Sequence, residues 1–279
     1  MIKKITIFSI PVILFANRCT LPISIKPYVV NESLNQLTRY SDVKRNYNAL
    51  KKLCVKKISF KDGPLKWNML LVYSQRSGPF WYLPHDNENS AFDSAIYSTL
   101  KYGGGFLSVL NNNRRYNHRQ DPNRDFSYSK TRVCKEQLYP SSKYTSIVFN
   151  IIDSFKKPNM PYLALHNNTN GGSISALIST SKVKSYLANS QDPLLNDPDN
   201  LVYIAGTSKI PPKDKIEKLL QNGLNVRYEI VNRFNNDCSM SNFVVLNKGT
   251  TNYYNIEAQH GYTNTQERMI DILINRVLI

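Results

Sequence analysis

Residues 80–110 read FWYLPHDNENSAFDSAIYSTLKYGGGFLSVL. Phe80 to Leu83 is a short apolar run, the pattern of a strand buried on both faces. Pro84 and His85 close it. Ser90 to Tyr102 places Ala91, Ala95, Ile96, Thr99 and Leu100 at helical spacing, which predicts one face turned to a core. Gly103-Gly104-Gly105 stops that helix, and Phe106 to Leu110 is again an apolar strand. Strand, helix, strand over so short a span predicts a crossover between strands of one sheet.

The same alternation extends in both directions. Upstream, Lys57 to Phe60 and Met69 to Tyr73 read as strands separated by the turn Lys61-Asp62-Gly63-Pro64, and Asn31 to Leu53 reads as a helix. Downstream come a helix from Tyr144 to Phe155, a strand from Tyr162 to Leu165 ending at His166, and a strand from Leu201 to Ala205. A helix from Pro212 to Asn222 follows, with proline at its start. Val226 to Val231, Phe243 to Leu246 and Tyr253 to Ala258 read as strands, and Thr265 to Leu278 as a closing helix. The expected fold class is therefore α/β: a mostly parallel mixed sheet with helices on both faces, in a single domain. In such open sheets, chemistry collects at the carboxyl ends of strands.

The chain has 279 residues, 41% of them hydrophobic, enough for a sizeable core. That composition excludes a disordered polyelectrolyte despite a formal net charge of +16. The charge invites a nucleic-acid reading, but Lys and Arg are spread along the whole chain. No block of five like charges and no nucleic-acid-binding signature occurs. An acidic substrate or an anionic surface fits as well, and no nucleic-acid partner is expected. Met1-Ile2-Lys3-Lys4 followed by the apolar run Ile5 to Ala16 has the pattern of a cleaved secretory signal, residues 1–16. Asn17 and Arg18 are wrong neighbours for a lipidated Cys19. Export would put Cys19, Cys54, Cys134 and Cys238 in an oxidising compartment, where three pairings are open. No transmembrane span is expected in the mature chain.

Four short features carry candidate chemistry. His85-Asp86-Asn87-Glu88 is an H-x-x-E between strand and helix, a spacing at which imidazole and carboxylate can share one metal ion. Asp121-Pro122-Asn123-Arg124-Asp125-Phe126 offers a guanidinium fork and an amide to a carboxylate, with Arg114-Arg115-Tyr116 upstream. His166 leaves a buried strand, and Glu257 ends another, where a carboxylate can serve as general base. Each has an ordinary reading as well: a solvated loop histidine, a basic turn, a satisfied strand-end histidine, a surface glutamate.

Their order is more specific than any one of them. Strand–HxxE–helix, then Arg-Tyr and D-x-N-R-x-F, then strand–His and strand–Glu, resembles the zinc carboxypeptidase superfamily, closest to its compact succinylglutamate desuccinylase and aspartoacylase branch. The resemblance runs through residues 78–279, with Asp121-x-Asn123-Arg124-x-Phe126 its most specific piece. It implies one Zn2+ ion held by His85, Glu88 and His166, with Glu257 as base and proton shuttle. It implies Arg115, with Arg114 as rival, against the scissile carbonyl, and Asn123 and Arg124 on the substrate's carboxylate. Tyr253 and Tyr254 are candidates for a mobile tyrosine, Tyr254 being taken as the substrate contact, and His260 for an extra polar group. Asp86 and Asn87 depart from the usual small residue of H-G-x-E. The implied organisation is a signal peptide (1–16), an approach segment (17–55) and a catalytic domain (56–279).

The expected function is an exported, periplasmic or secreted zinc peptidase or amidase. It would hydrolyse an amide next to a carboxylate in an acidic peptide or a peptidoglycan stem peptide. The alternatives are an N-acyl-amino-acid deacylase and a non-catalytic envelope binding protein on the same fold.

Overall fold

The computed structural model describes residues 19–278. The expected signal segment, residues 1–16, lies outside the described residues. In chain order the strands are β1 (Val29–Val30), β2 (Cys54–Asp62), β3 (Leu65–Tyr73), β4 (Phe80–Leu83), β5 (Gly105–Val109), β6 (Tyr162–Asn168), β7 (Val183–Tyr186), β8 (Leu201–Gly206), β9 (Asn225–Ile230) and β10 (Tyr253–Gln259). The helices are α1 (Leu34–Leu37), α2 (Ser41–Arg45), α3 (Tyr47–Leu50), α4 (Asn89–Tyr102), α5 (Ser142–Phe155), α6 (Lys213–Gln221), α7 (Met240–Leu246) and α8 (Thr263–Ile272).

All ten strands form one sheet in the order β1-β2-β3-β5-β4-β6-β10-β8-β9-β7. The expectation of a mostly parallel sheet is corrected. Parallel pairing holds from β5 through β4 and β6 to β10, and between β8 and β9. The pairs β1–β2, β2–β3, β3–β5, β10–β8 and β7–β9 are antiparallel. The turn between β2 and β3 is too short for a crossover and permits only a hairpin, with Gly63 at φ 54°.

Helices cover both faces, as expected. One face packs Phe92, Ala95 and Ile96 of α4 with Ile216 and Leu219 of α6 and Met269 and Ile270 of α8. The other packs Ile147, Val148 and Ile151 of α5 with Phe243 and Val244 of α7. Within the βαβ unit, Gly104 adopts φ 70°, and a Cβ there would collide with the Pro79 carbonyl. The turn out of α4 therefore depends on glycine.

Two other expectations change. Asn31–Leu53 forms three short helices, α1 to α3, in place of one. The first is closed at its start by a reciprocal Ser33–Gln36 capping box. Phe243–Leu246 belongs to helix α7, not to a strand. Ser239 caps it by accepting a hydrogen bond from the Asn242 amide, and its apolar residues fill a helical face.

The connections place the site. From β4 the chain crosses through α4 to β5 on one side, then returns through α5 to β6 on the other. The carboxyl ends of β4 and β6 therefore part at a switch in strand order, where an open α/β sheet forms a crevice.

Candidate metal centre and cleft

His85 and Glu88 sit on the turn between β4 and α4, with Glu88 at the helix N-cap position. His166 lies within β6, which runs two residues past it, so it belongs to the strand and does not merely follow it. Glu257 pairs in register with His166 across the parallel β6–β10 ladder. Side chains of laterally paired residues share a sheet face, so the register itself sets Glu257 beside His166.

His85, Glu88 and His166 are all buried, and one ligand atom from each lies within 4.8 Å of the others. His85 Nδ1 is 2.7 Å from Glu88 Oε1, and His166 Nδ1 is 3.4 Å from Glu88 Oε2. Glu88 Oε2 has no hydrogen-bond partner although it is shielded from solvent. A buried carboxylate oxygen in that condition needs a cation or a donor. Two imidazole nitrogens and a carboxylate are a donor set that suits a divalent metal ion with a further coordination position open.

Electrostatics in the cluster follow from proximity. Burial would raise the Glu88 carboxyl, but His85 and His166 outweigh it and hold the acid well below the usual carboxylate range. Burial would lower His85, yet Glu88 and Asp121 raise it to about 9. Glu257 is shifted up, first by burial and then by the charge of Glu88, with His166 acting in the opposite sense. Asn255 Nδ2 donates to Glu257 Oε1 at 2.8 Å and fixes that oxygen.

Asp121 does more than the sequence reading assigned to it. Its Oδ1 lies 2.8 Å from His85 Nε2, which leaves Nδ1 as the nitrogen turned to the cluster. The same oxygen accepts the Asn123 amide at 2.8 Å and caps the turn Pro122–Arg124. One carboxylate thus orients a candidate ligand and shapes the turn presenting Asn123 and Arg124. The D-x-N spacing carried that signal, since an aspartate side chain commonly accepts the amide two residues on.

Arg115 reaches the cluster, with Nη1 3.1 Å from Glu88 Oε1 and Nη2 3.5 Å from Asp121 Oδ2. Its loop is tied down by Asp86, whose Oδ2 accepts the Asn111 and Asn113 amides at 2.6 and 2.7 Å. Asn112 and Asn113 adopt φ values of 53° and 61°, a conformation asparagine tolerates better than most residues. Arg124 pairs with Asp237 at 3.3 Å. Asn123 Oδ1 accepts the Met240 amide at 3.3 Å, which leaves its NH2 group as the donor.

These residues line a cleft of about 330 Å³ that includes Glu88, Arg115, Asn123, Arg124, His166, Glu257 and His260. Three of the named residues, Arg114, Tyr253 and Tyr254, are not brought there. Arg114 is exposed and off the cleft. Tyr254 is buried in the core of the sheet face shared with α6 and α8, the face opposite Glu257, because strand side chains alternate. Tyr253 lines the neighbouring cavity instead. The cysteines pair as Cys19–Cys54 and Cys134–Cys238. The second bridge ties the segment after Phe126 to the loop carrying Asp237, and the Phe126 amide donates to the Cys238 carbonyl at 3.0 Å.

No protein-family model matches the chain. No curated protein matches it either. Among solved structures it is similar to one described as "a putative metallopeptidase from Shewanella amazonensis SB2B". The identity is 13%, over 88% of this chain and 98% of that one, with a TM-score of 0.45. That is a likeness of broad shape, and the chemistry of the cleft stands on its own residues.

Proposed function

We propose that this chain is an exported zinc-dependent hydrolase that cleaves an amide bond next to a carboxylate, acting on acidic peptides of the peptidoglycan type. The observation that carries the reading is the buried His85–Glu88–His166 group. It has an unpartnered carboxylate oxygen and sits beside a carboxyl, Glu257, whose affinity for protons is raised.

His85, Glu88 and His166 would hold the ion. Zinc bound there would supply Lewis acidity toward a carbonyl and toward water. Every other part falls to the chain. Asn123, through its NH2 group, and Arg124 hold the substrate's carboxylate and so fix the scissile amide along the cleft. Asp237 keeps the Arg124 fork in place. Glu257, with Oε1 held by Asn255, takes a proton from the attacking water on Oε2 as the water oxygen bonds to the carbonyl carbon. It returns that proton to the amide nitrogen as the C–N bond breaks. Arg115 stands where negative charge develops on the carbonyl oxygen. The raised Glu257 suits this two-way role, because a strongly acidic carboxyl would neither take nor keep the proton.

Export is supported by the N-terminal basic-then-apolar pattern and by two disulfides, which fit an oxidising compartment. Among the described residues no helix is long and apolar enough to cross a membrane. The test is Glu257→Gln in zinc-loaded protein incubated with purified muropeptides, with products read by mass spectrometry and zinc by elemental analysis. Cleavage by the wild type and loss of at least about a hundredfold in the variant, with zinc retained, is the expected result. Full activity in the variant refutes the mechanism, and an unchanged muropeptide profile with wild type refutes the substrate.

A further inference from the structure

Strands β8 and β9 run parallel and side by side. The loops that leave their carboxyl ends share a root, where the Val231 amide donates to the Gly206 carbonyl at 2.8 Å. The turn before β7 comes to the same end, because the Ile230 amide donates to the Lys182 carbonyl at 2.8 Å. The β8 and β9 loops each put an apolar side chain into water: Ile210 is 81% exposed and Phe234 wholly so. Both loops are fixed. Asn232 Oδ1 accepts the Phe234 and Asn235 amides at 2.9 and 3.2 Å. Asn235 Oδ1 accepts the Asn232 amide at 2.6 Å, and Asn235 Nδ2 donates to the Ile230 carbonyl at 2.7 Å. In the other loop, Ser208 Oγ accepts the Ile210 amide at 3.0 Å, and the Ser208 carbonyl accepts the Tyr228 hydroxyl at 2.8 Å. Pro211 and Pro212 follow and restrict the backbone. Polar groups therefore hold these turns, and the two apolar side chains contribute little to the fold.

The charge around these tips has one sign. Lys182, Lys209, Lys213 and Arg233 are exposed, and residues 179–183, 207–213 and 231–236 contain no acid. Asp214 and Glu217 lie beyond, on α6, with Glu217 3.6 Å from Lys213. Asp237 is matched by Arg124. An isolated apolar side chain on a soluble surface is ordinary. Two that project from fixed turns on neighbouring strands, among cations, are a different arrangement. We propose that this end of the sheet docks on an anionic lipid bilayer. Phe234 and Ile210 enter the interface, and Lys182, Lys209, Lys213 and Arg233 meet the headgroup phosphates. Two separate apolar tips match a protein interface poorly, since that buries roughly 800 Å² on each side in a continuous, complementary patch. Binding at a bilayer surface sums apolar insertion and attraction to anionic headgroups, side chain by side chain. The candidate metal centre lies at the other end of β8, where Leu201 pairs with Glu257. Docking here does not involve the cleft and does not depend on the hydrolytic reading.

The test uses the full chain as Phe234→Trp, with vesicles of phosphatidylglycerol and phosphatidylcholine in equal parts whose brominated acyl chains quench an inserted indole. Trp67 and Trp81 are buried, so wild-type emission supplies a steady background. Because the readout is at position 234, binding through the apolar stretch Ile5 to Ala16 does not imitate it. Phe234 is exposed, so its replacement leaves the core intact, and circular dichroism checks this. The indole emission should shift to the blue and be quenched by these vesicles, with little change on phosphatidylcholine alone. Adding Lys209→Gln and Arg233→Gln should raise the vesicle concentration at half-quenching about twentyfold, at about fivefold per charge removed. Adding Ile210→Ser in their place should raise it about tenfold. Emission unchanged by the anionic vesicles overturns the proposal, as does equal quenching by phosphatidylcholine alone. A shift that follows protein concentration without vesicles assigns this face to a second copy of the chain. A shift produced by polyglutamate and not by vesicles assigns it to an acidic polypeptide. Either result overturns the proposal as well.

Discussion

Replacing Cys134 and Cys238 together by alanine tests how far the cleft depends on a crosslink remote from the metal centre. The bridge spans 104 residues, with Cα atoms 5.9 Å apart. In the chain-entropy model, closing a loop of that length in the unfolded state is worth about 4.7 kcal/mol at room temperature. At about 2–4 °C per kcal/mol for a chain of this size, the double variant should melt roughly 10–20 °C lower. The loss should not be uniform in its functional consequences. The bridge holds the loop of Asp237, which pairs with Arg124, and adjoins the Met240 amide that fixes Asn123. Of the candidate metal ligands, His85 and Glu88 stand on the β4–α4 turn outside the bridged loop, and His166, although inside it, is held by β6 in the ladder between β4 and β10. Substrate KM should therefore rise while zinc stoichiometry stays near wild type. Calorimetric melting, elemental analysis and KM on one peptide measure all three. A double variant within about 1 kcal/mol of wild type, or one that loses zinc before it loses substrate affinity, would refute this reasoning.

Asp121→Asn keeps a cap for the Asn123 amide but loses the charge facing His85 Nε2, and zinc affinity should fall about 10–100-fold by competition titration; unchanged affinity would remove Asp121 from the centre. Phe126, fully buried against Tyr82, Phe149 and Phe243, should cost about 3–5 kcal/mol on replacement by alanine, measured by urea unfolding. Asp125 is buried, and burial lifts its carboxyl from 3.8 to about 8. Between those values the folded chain keeps a proton that the unfolded chain has released, so the group's contribution to stability falls as pH rises through that window. Asp125→Asn cannot lose that proton, so its melting temperature should gain on wild type from pH 4 to 8; parallel curves would show that Asp125 does not titrate in that way.

The βαβ unit at residues 80–110 was legible because its strands are uniformly apolar and its helix has one apolar face. His166 and Glu257 were legible as residues of apolar strands, but their adjacency is a property of the β6–β10 register, which no local pattern states. Phe243–Leu246 misled because four apolar residues fit a strand or a buried helix equally well, and the deciding signal was the Ser239 cap upstream. Arg114 and Arg115 are neighbours of one type, so only the Asp86-anchored loop distinguishes the one that reaches Glu88. Residue type alone points Tyr254 toward the cleft, whereas alternation along β10 from Glu257 assigns it to the opposite face.

Glu88 and Glu257 pose the same question with opposite answers. Both carboxyls are almost fully buried, on neighbouring elements around His166. Burial raises both, yet one ends below the ordinary range and the other above it. The difference lies in their neighbours. Glu88 faces two imidazoles and Arg115, so its charge is favoured. Glu257 faces the already charged Glu88 and accepts a hydrogen bond from the uncharged amide of Asn255. A pair of carboxyls separated in this way divides labour: the ionised one suits a cation, and the other, with its raised affinity for protons, suits proton transfer. Exchanging those roles would require moving the imidazoles rather than the acids. Replacing His166 by Gln, which removes the imidazole beside both carboxyls, should raise Glu88 and Glu257 together, because His166 lowers each. Carboxyl titration by NMR in the metal-free protein reads both shifts, and a rise at one site without the other would break the electrostatic account.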